Sequence, residues 1–433
     1  MRQNKAKAEI VCAVDVGSSG VKVALGRGDA QGGGDLVAAL ALPLPKNAVE
    51  RGRVRDVGAA ARVVADALAK ASRDEEGKTR YVINTVLAVI SGNVCDATPW
   101  ASTSEQGWGK VGPRRLRELK LKAISTWAEG REPAVAAPTL VSVLSQGFSE
   151  DGAARRALRP EGWAAERLRL DALRVFADGG ALENLSRCLY LGGASLGAVS
   201  LGTAASSEAT LSAEDKELGC ACIDVGADTT DVALYCDGAL AACKSFPFGG
   251  DDLDRRLAAE YYMSDRAASA MKVEHLSTRA VARPDWGRRL QYIRADGSFG
   301  ECEVADAVAL VDDLCRSALA EVKAFAERAA GDARALSRGL VLTGGGSQLK
   351  GLAQTAQNVF GLPARAGASP LWGRDERDRP GAVRAPAAPG AAPLGARIVS
   401  KAALGRLPPA FAAVVGAARL RLSPDGLVIY SGA

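Results

Sequence analysis

The sequence predicts an α/β protein made of two duplicated halves around a cleft, with a subdomain inserted into the first half. Three observations predict it. Short β-branched runs alternate with longer stretches of helical spacing, the pattern of an α/β fold. Residues 15–25, DVGSSGVKVAL, return at 224–234 as DVGADTTDVAL, close to half the chain away. Between the copies, from Gly92 to about Asp178, the alternation breaks into a segment richer in Trp, Arg and Glu whose strands read as weak.

The elements follow in order. Ile10–Asp15 and Val21–Leu25 read as strands joined by a tight Gly/Ser turn. Asp56–Lys70 has helical spacing, with Val57, Ala61, Val64, Ala65 and Leu68 on one face. Val86–Ile90 reads as a short buried strand. Leu182–Leu191 reads as a helix stopped by Gly192-Gly193. Alternation resumes at Cys220. Residues from about Arg255 to Leu336 read as mostly helical, interrupted by a strand pair near Gln291–Val304. Pro363–Ala396, rich in Pro, Ala and Gly, reads as a mobile loop or linker. Apolar spacing returns at Phe411–Val415. These signals divide the chain into 1–92 (first half), 93–178 (insert), 179–213 (return of the first half), 214–254 (second half with its hairpin), 255–336 (helical subdomain) and 337–433 (Gly-rich motif, Pro/Ala-rich loop and C-terminal helix).

Composition narrows the function. Of 433 residues 48% are hydrophobic and 24% charged, and the net charge of +5 is interleaved rather than massed, so nucleic acid is not an expected partner. No apolar window is long enough to span a membrane, and Asp15 interrupts the N-terminal apolar run, so a cytosolic chain is expected. The nine cysteines include no C-x-x-C pair and are expected to be reduced and buried. The single histidine, His275, excludes a His-rich metal site.

The repeat carries the chemistry. In each copy a strand ends in an aspartate, Asp15 or Asp224, followed by a glycine, Gly17 or Gly226, that allows close backbone approach. The small turns, with Ser18 and Ser19 in one copy and Thr229 and Thr230 in the other, point donors at an anion. Two facing hairpins can grip a polyphosphate, the two aspartates can hold a hydrated Mg²⁺, and Lys22 adds a point charge. A third element, GLVLTGGGSQLKG at 339–351, runs a strand into Gly344, Gly345 and Gly346 and then into a helix whose N-terminus favours phosphate.

Hairpin, hairpin and Gly-rich loop, in this order, resemble the actin-like ATPase superfamily. Within it the chain resembles the bacterial cell-division protein FtsA. The resemblance rests further on Gly52-Arg53-Val54-Arg55-Asp56, on ELGCACIDVG from Glu217, on DGALAACKSFPFGGDDL from Asp237, on KVEH from Lys272 and on LTGGGSQLKGLAQTAQNVFG from Leu342. The insert is similar to that family's own small subdomain, most clearly at Leu168–Asp178 and Leu182–Leu191.

The resemblance implies two ribonuclease-H-like halves binding ATP with Mg between them. It implies a first phosphate site of Asp15, Gly17, Ser18, Ser19 and Lys22, and a second of Asp224, Gly226, Thr229 and Thr230. Gly344, Gly345 and Gly346 then cradle adenosine, and Lys272 contacts ribose or base. It implies slow hydrolysis at most, with Asp224 and Asp15 as catalytic carboxylates. It also implies self-association into filaments, FtsZ and other division proteins as partners, and a place at the cytoplasmic face of the inner membrane at the division site. Three departures bear on hydrolysis more than on binding. Ala227 and Asp228 stand where glycines are usual, which puts an acid near the phosphates. Ser269 replaces a glutamate, and Leu276 replaces a glycine. The family's tether is a C-terminal amphipathic helix, and residues 419–433 carry no basic amphipathic pattern. Membrane attachment is thus an expectation of the resemblance alone.

The residues also allow other readings. A PilM-like type IV pilus assembly protein shares the fold and the insert. A metabolic kinase of the same superfamily needs a catalytic acid and a small-molecule pocket, and the sequence offers neither. Ser72–Thr79 nearly matches a P-loop, but Asp74, Glu75 and Glu76 would repel phosphate and no strand precedes it. Gly193–Gly197 matches G-x-S-x-G but follows a helix rather than a strand. Asn184-Leu185-Ser186 lies in a helix and reads as a chance sequon. His275, beside Lys272, reads as structural support.

Overall fold

A computed structural model describes residues 10–28, 34–73, 81–128, 138–150, 156–281, 285–330, 333–367, 397–398 and 409–422. The first half opens with β1 (Ile10–Gly17), β2 (Gly20–Gly28) and β3 (Gly34–Pro43), then the two-residue strands β4 (Val49–Glu50) and β5 (Arg53–Val54), helix α1 (Val57–Ala71) and β6 (Thr85–Ile90). The insert contributes β7 (Cys95–Lys110), α2 (Pro113–Ala128), β8 (Thr139–Glu150), β9 (Arg156–Ala157) and β10 (Ala164–Ala177). The chain returns through α3 (Gly179–Leu191), β11 (Ser195–Leu201) and α4 (Gly202–Thr210). The second half runs α5 (Ala213–Leu218), β12 (Cys220–Val225), β13 (Thr230–Cys236), β14 (Ala239–Phe246), α6 (Gly250–Tyr261), α7 (Asp265–His275), β15 (Arg289–Ile293), β16 (Phe299–Glu303), α8 (Val304–Ala330), β17 (Leu340–Thr343), α9 (Leu352–Phe360) and β18 (Ala364–Ala366). It is followed by β19 (Arg397–Ile398) and α10 (Ala412–Leu422).

The duplication is visible in the sheets. The first sheet contains the order β3-β2-β1-β6-β11, and the second is β14-β13-β12-β17-β18. In both, three antiparallel strands are continued by two parallel strands laid against the first. The equivalent hairpins therefore present their turns at equivalent sheet edges.

The two faces of the first sheet pack against different helices. Val14, Val23, Leu25 and Leu40 pack against α1 and α3 through Val64, Leu68, Leu185 and Leu189. The opposite face carries Ala13, Ala24, Ala39 and Ala41, and these small residues let Val414, Val415 and Ala418 of α10 close on the sheet. Asp56 caps α1, accepting from Ala59 N at 2.8 Å. Ala65, placed on the core face by its spacing, is exposed, and the buried stripe runs instead through Ala60, Ala61, Val64, Ala67, Leu68 and Ala71.

α10 also crosses α4 at very close range. A Cβ on Gly416 would stand 1.7 Å from Ala205 O. Gly416→Val should therefore cost about 3 kcal/mol through forced separation of the two helices, read as a lower urea midpoint. An unchanged midpoint would mean that this crossing contributes nothing to stability.

The insert corrects one expectation. Its strands are long: β7 has 16 residues, β8 has 12 and β10 has 14. The residues that made them read as weak are accommodated in place. The Arg174 guanidinium lies 4.7 Å from the Trp100 ring centroid, and Arg169 pairs with Asp171 at 2.8 Å. Buried Arg115 donates to the Ala165, Glu166 and Ser104 carbonyls. The insert is tied to the second half by Gln146, whose amide donates to Leu240 O and Ala241 O at 3.1 and 3.0 Å, where the β13–β14 pairing bulges.

Two further boundaries differ. Ala364–Ala366, expected in a loop, pairs parallel with β17, while residues 368–396 lie outside the described set. After the glycine triplet comes a 3₁₀ turn, Gly346–Gln348, and the α-helix starts only at Leu352. The nine cysteines are free thiols, five buried and four half-buried. Among the described residues no helix is long and apolar enough to cross a membrane.

Candidate functional site

The site lies where the two hairpin turns and the glycine loop converge. In the first hairpin Asp15 is the register partner of Lys22. The Lys22 ammonium sits 2.8 Å from Asp15 Oδ2, and both side chains are largely buried. Burial opposes the lysine charge, but the charge and hydrogen bond of Asp15, helped by the charge of Asp224, raise its pKa above the usual value. Ser18 and Ser19 form the two-residue turn between paired Gly17 and Gly20.

The second hairpin repeats this with one charge inverted. Seven positions beyond each aspartate, the first copy has Lys22 and the second has Asp231. Asp224 therefore faces a carboxylate across the ladder. Its pKa is pushed up to about 7, first by burial and also by the charges of Asp231 and Asp15. A hydrogen bond from Ser206 Oγ and the charge of Lys22 oppose the rise.

Asp231 is itself raised by burial, against hydrogen bonds that favour its charged form. It accepts from Gly92 N of the first half at 3.1 Å and from Thr229 Oγ1 at 3.1 Å. Asp228 also reaches across, accepting from Arg51 N at 3.3 Å. The Thr230 hydroxyl donates to Phe248 O at 2.8 Å.

The glycine loop closes the site from below. Gly344 has φ +83, and a Cβ there would stand 2.3 Å from Asp224 Oδ1 and 2.4 Å from Val225 O. Only glycine lets this loop lie against the end of β12. Thr343 Oγ1 and Gly344 N both donate to Pro409 O, at 3.2 and 3.3 Å, which joins the loop to the lead-in of α10. Gly345 has an ordinary φ of −63. Gly346 lines a mostly apolar pocket with Val225, Thr230, Phe248, Leu253, Leu319 and Val322.

Lys272 lies on α7 beside the start of α6. Its ammonium is 2.7 Å from Gly250 O and 2.8 Å from Asp254 Oδ1. The first amides of α6 are occupied too: Gly250 N donates to Gly226 O and Asp251 N to Ala227 O, at 3.0 and 2.8 Å. Asp251 is raised to about 6, by burial first and then by the charges of Asp228 and Asp254.

The structure thus gathers Asp15, Gly17, Ser18, Ser19, Lys22, Asp224, Gly226, Thr229 and Gly344, with Gly345 and Gly346 alongside and Lys272 on the far wall. It commits the Thr230 hydroxyl to the Phe248 carbonyl. Lys22 and Lys272, expected to meet phosphate and nucleoside, are each paired with a carboxylate. Ser206, Asp231, Gly92 and Arg51 are additions to the site. Asp231 had a signal in the repeat, since it occupies the position of Lys22. Ser206, Gly92 and Arg51 had none, because only the fold brings them there.

The other motifs resolve simply. Ser195 of Gly193–Gly197 opens β11 after helix α3, so it is not on a nucleophile turn. Residues 74–80 of the P-loop-like stretch lie outside the described set. His275 ends α7, with Arg288 Nη2 at 3.5 Å from its Nδ1. Leu276, the residue in place of glycine, is buried as the C-cap of that helix.

Residues 221–387, from the second hairpin through the glycine loop, match the family model of cell division protein FtsA. The chain is FtsA-like and has the actin-like ATPase fold. The FtsA of Neisseria meningitidis serogroup B is 27% identical over 190 residues, 43% of this FtsA-like chain and 45% of that one. The FtsA of Rhizobium meliloti is 26% identical over 327 residues, 74% of this chain and 70% of that one. The chain spans about half the length of the curated relatives first matched, such as the meningococcal protein. A solved PilM–PilN type IV pilus biogenesis complex superposes with a TM-score of 0.57 at 17% identity, covering 97% of this chain and 100% of that one. At that identity the likeness is one of fold.

Proposed function

We propose that the FtsA-like chain is an ATP-binding cell-division scaffold that self-associates and joins FtsZ filaments to the membrane at the division site. The observation that carries it is the convergence of both duplicated hairpins and the glycine loop on one cleft, with the second hairpin and the loop inside the stretch that matches the FtsA family model. The residues suit Mg·ATP. The bare backbone of Gly344 and the mostly apolar pocket beside Gly346 form the wall on which a nucleoside would lie. Asp15 and Asp224 are the groups that would hold a hydrated Mg²⁺, whose charge would offset that of the phosphates. Ser18, Ser19 and Lys22 supply donors and a cation for the phosphates on the first hairpin, and Thr229 and the turn amides after Gly226 supply donors on the second. In this reading the Asp224 carboxylate, beside Gly344, assists attack by water. Any turnover in this reading is slow.

The test is co-sedimentation with GTP-assembled FtsZ from the same organism, with and without Mg·ATP. The expected result is pelleting that requires FtsZ polymer and changes with ATP. Retention in the supernatant in both conditions, with FtsZ fully pelleted, would remove the division-scaffold reading.

A further inference from the structure

We propose that Asp228 sets the charge of the nucleotide the cleft accepts, favouring a nucleoside diphosphate over a triphosphate. This rests on the nucleotide reading above. The two copies of the repeat differ most in their turns, which hold Ser18-Ser19 in one and Ala227-Asp228 in the other. The first turn is therefore uncharged and lies beside a cation, whereas the second carries a carboxylate into the gap between the halves.

That carboxylate is held in place from both sides. Its side chain is 11% exposed, and Oδ1 lies 3.7 Å from Arg255 Nη1 of α6. Oδ2 accepts from Arg51 N of the opposite half at 3.3 Å. Arg51 has φ +47, a left-handed conformation that is unusual for a non-glycine residue. Several donors beside this turn already serve acceptors of the protein. Arg51 N serves Asp228, Gly92 N and the Thr229 hydroxyl serve Asp231, and the first two amides of α6 serve Gly226 O and Ala227 O. Arg255 is divided between Asp228 and Asp252, the latter at 2.7 Å.

A third phosphoryl group entering here must take donors from Asp228 and leave that carboxylate beside it. A diphosphate brings at least one negative charge fewer into the same gap, so the cost falls on the triphosphate. Asp251, Asp252 and Asp254 at the start of α6 add further carboxylates on the same side of the gap.

The experiment is calorimetric titration of the full chain with Mg·ADP and with Mg·ATP, for wild type, Asp228→Gly and Asp228→Asn. The isosteric asparagine guards against misfolding of the glycine variant, and thermal melts check both. Wild type should bind Mg·ADP at least about tenfold more tightly than Mg·ATP, a difference of about 1.4 kcal/mol. Both variants should bring the ratio within about threefold, chiefly by tightening Mg·ATP. Equal affinities in wild type, or a ratio that neither variant changes, would overturn the role of Asp228. Failure of all three proteins to bind either nucleotide would instead defeat the nucleotide reading, and this proposal with it.

Discussion

Gly344→Val should weaken nucleotide binding by at least about a hundredfold, whereas Gly345→Ala should change it by less than about threefold. Adjacent glycines of one motif are predicted to behave differently for geometric reasons. Gly344 has φ +83, and a side chain there would collide with Asp224 Oδ1 and Val225 O. A β-branched residue is strained in that conformation even without the collision. The loop must then withdraw from β12, which separates the nucleoside wall from the Asp224 carboxylate. Gly345 lies in the ordinary helical region, where alanine is unstrained. Some loss of stability accompanies Gly344→Val, so binding is read by titration at a temperature where circular dichroism shows the variant folded. Equal effects from the two substitutions would mean that the close approach to Asp224 is not what the loop contributes.

Asp224→Asn carries the other large effect, and its sign depends on the ligand. Without nucleotide, wild-type Asp224 is a buried acid facing Asp231 across the ladder, with Asp15 and Lys22 on the first hairpin and Ser206 on α4 around it. The folded chain holds the Asp224 proton up to about pH 7, well above an unfolded aspartate near 3.9. Its contribution to stability is therefore greatest at low pH and is lost as pH rises through that window. Removing the charge should raise Tm at pH 8 by about 3 °C and flatten the fall in Tm between pH 5 and 8. With Mg and nucleotide the carboxylate becomes useful, and the same substitution should weaken Mg-dependent binding by about tenfold or more. A variant destabilised at pH 8 without ligand would show that Asp224 is satisfied as a carboxylate, contrary to the inverted charge at its register partner.

That inversion marks how far the sequence could be read. The repeat located both hairpins, and their pairing places Asp15 opposite Lys22 and Asp224 opposite Asp231. Strand order came only with the fold, in which each half lays its parallel strands against the first strand of its hairpin. The insert was harder. Arg169, Arg174 and Trp100 interrupt the alternation that signals a strand, and only their tertiary partners, an aspartate and an aromatic ring stacked on a guanidinium, make them acceptable there. In the site, the fold reassigned groups whose type alone suggested phosphate contacts. Thr230 is claimed by the Phe248 carbonyl, and Lys272 by Asp254 and Gly250. Arg51 and Gly92 act through their amides, which every residue carries, so their composition gives no hint of the contact. Their place against Asp228 and Asp231 is a property of how the two halves meet.

Titration of the full chain with ADP, once with Mg²⁺ and once with EDTA, shows whether this cleft binds a magnesium nucleotide. Saturable binding of one nucleotide per chain, lost or greatly weakened when the metal is chelated, is the predicted result. No binding up to millimolar nucleotide in the presence of Mg²⁺, by a chain shown to be folded, would contradict it.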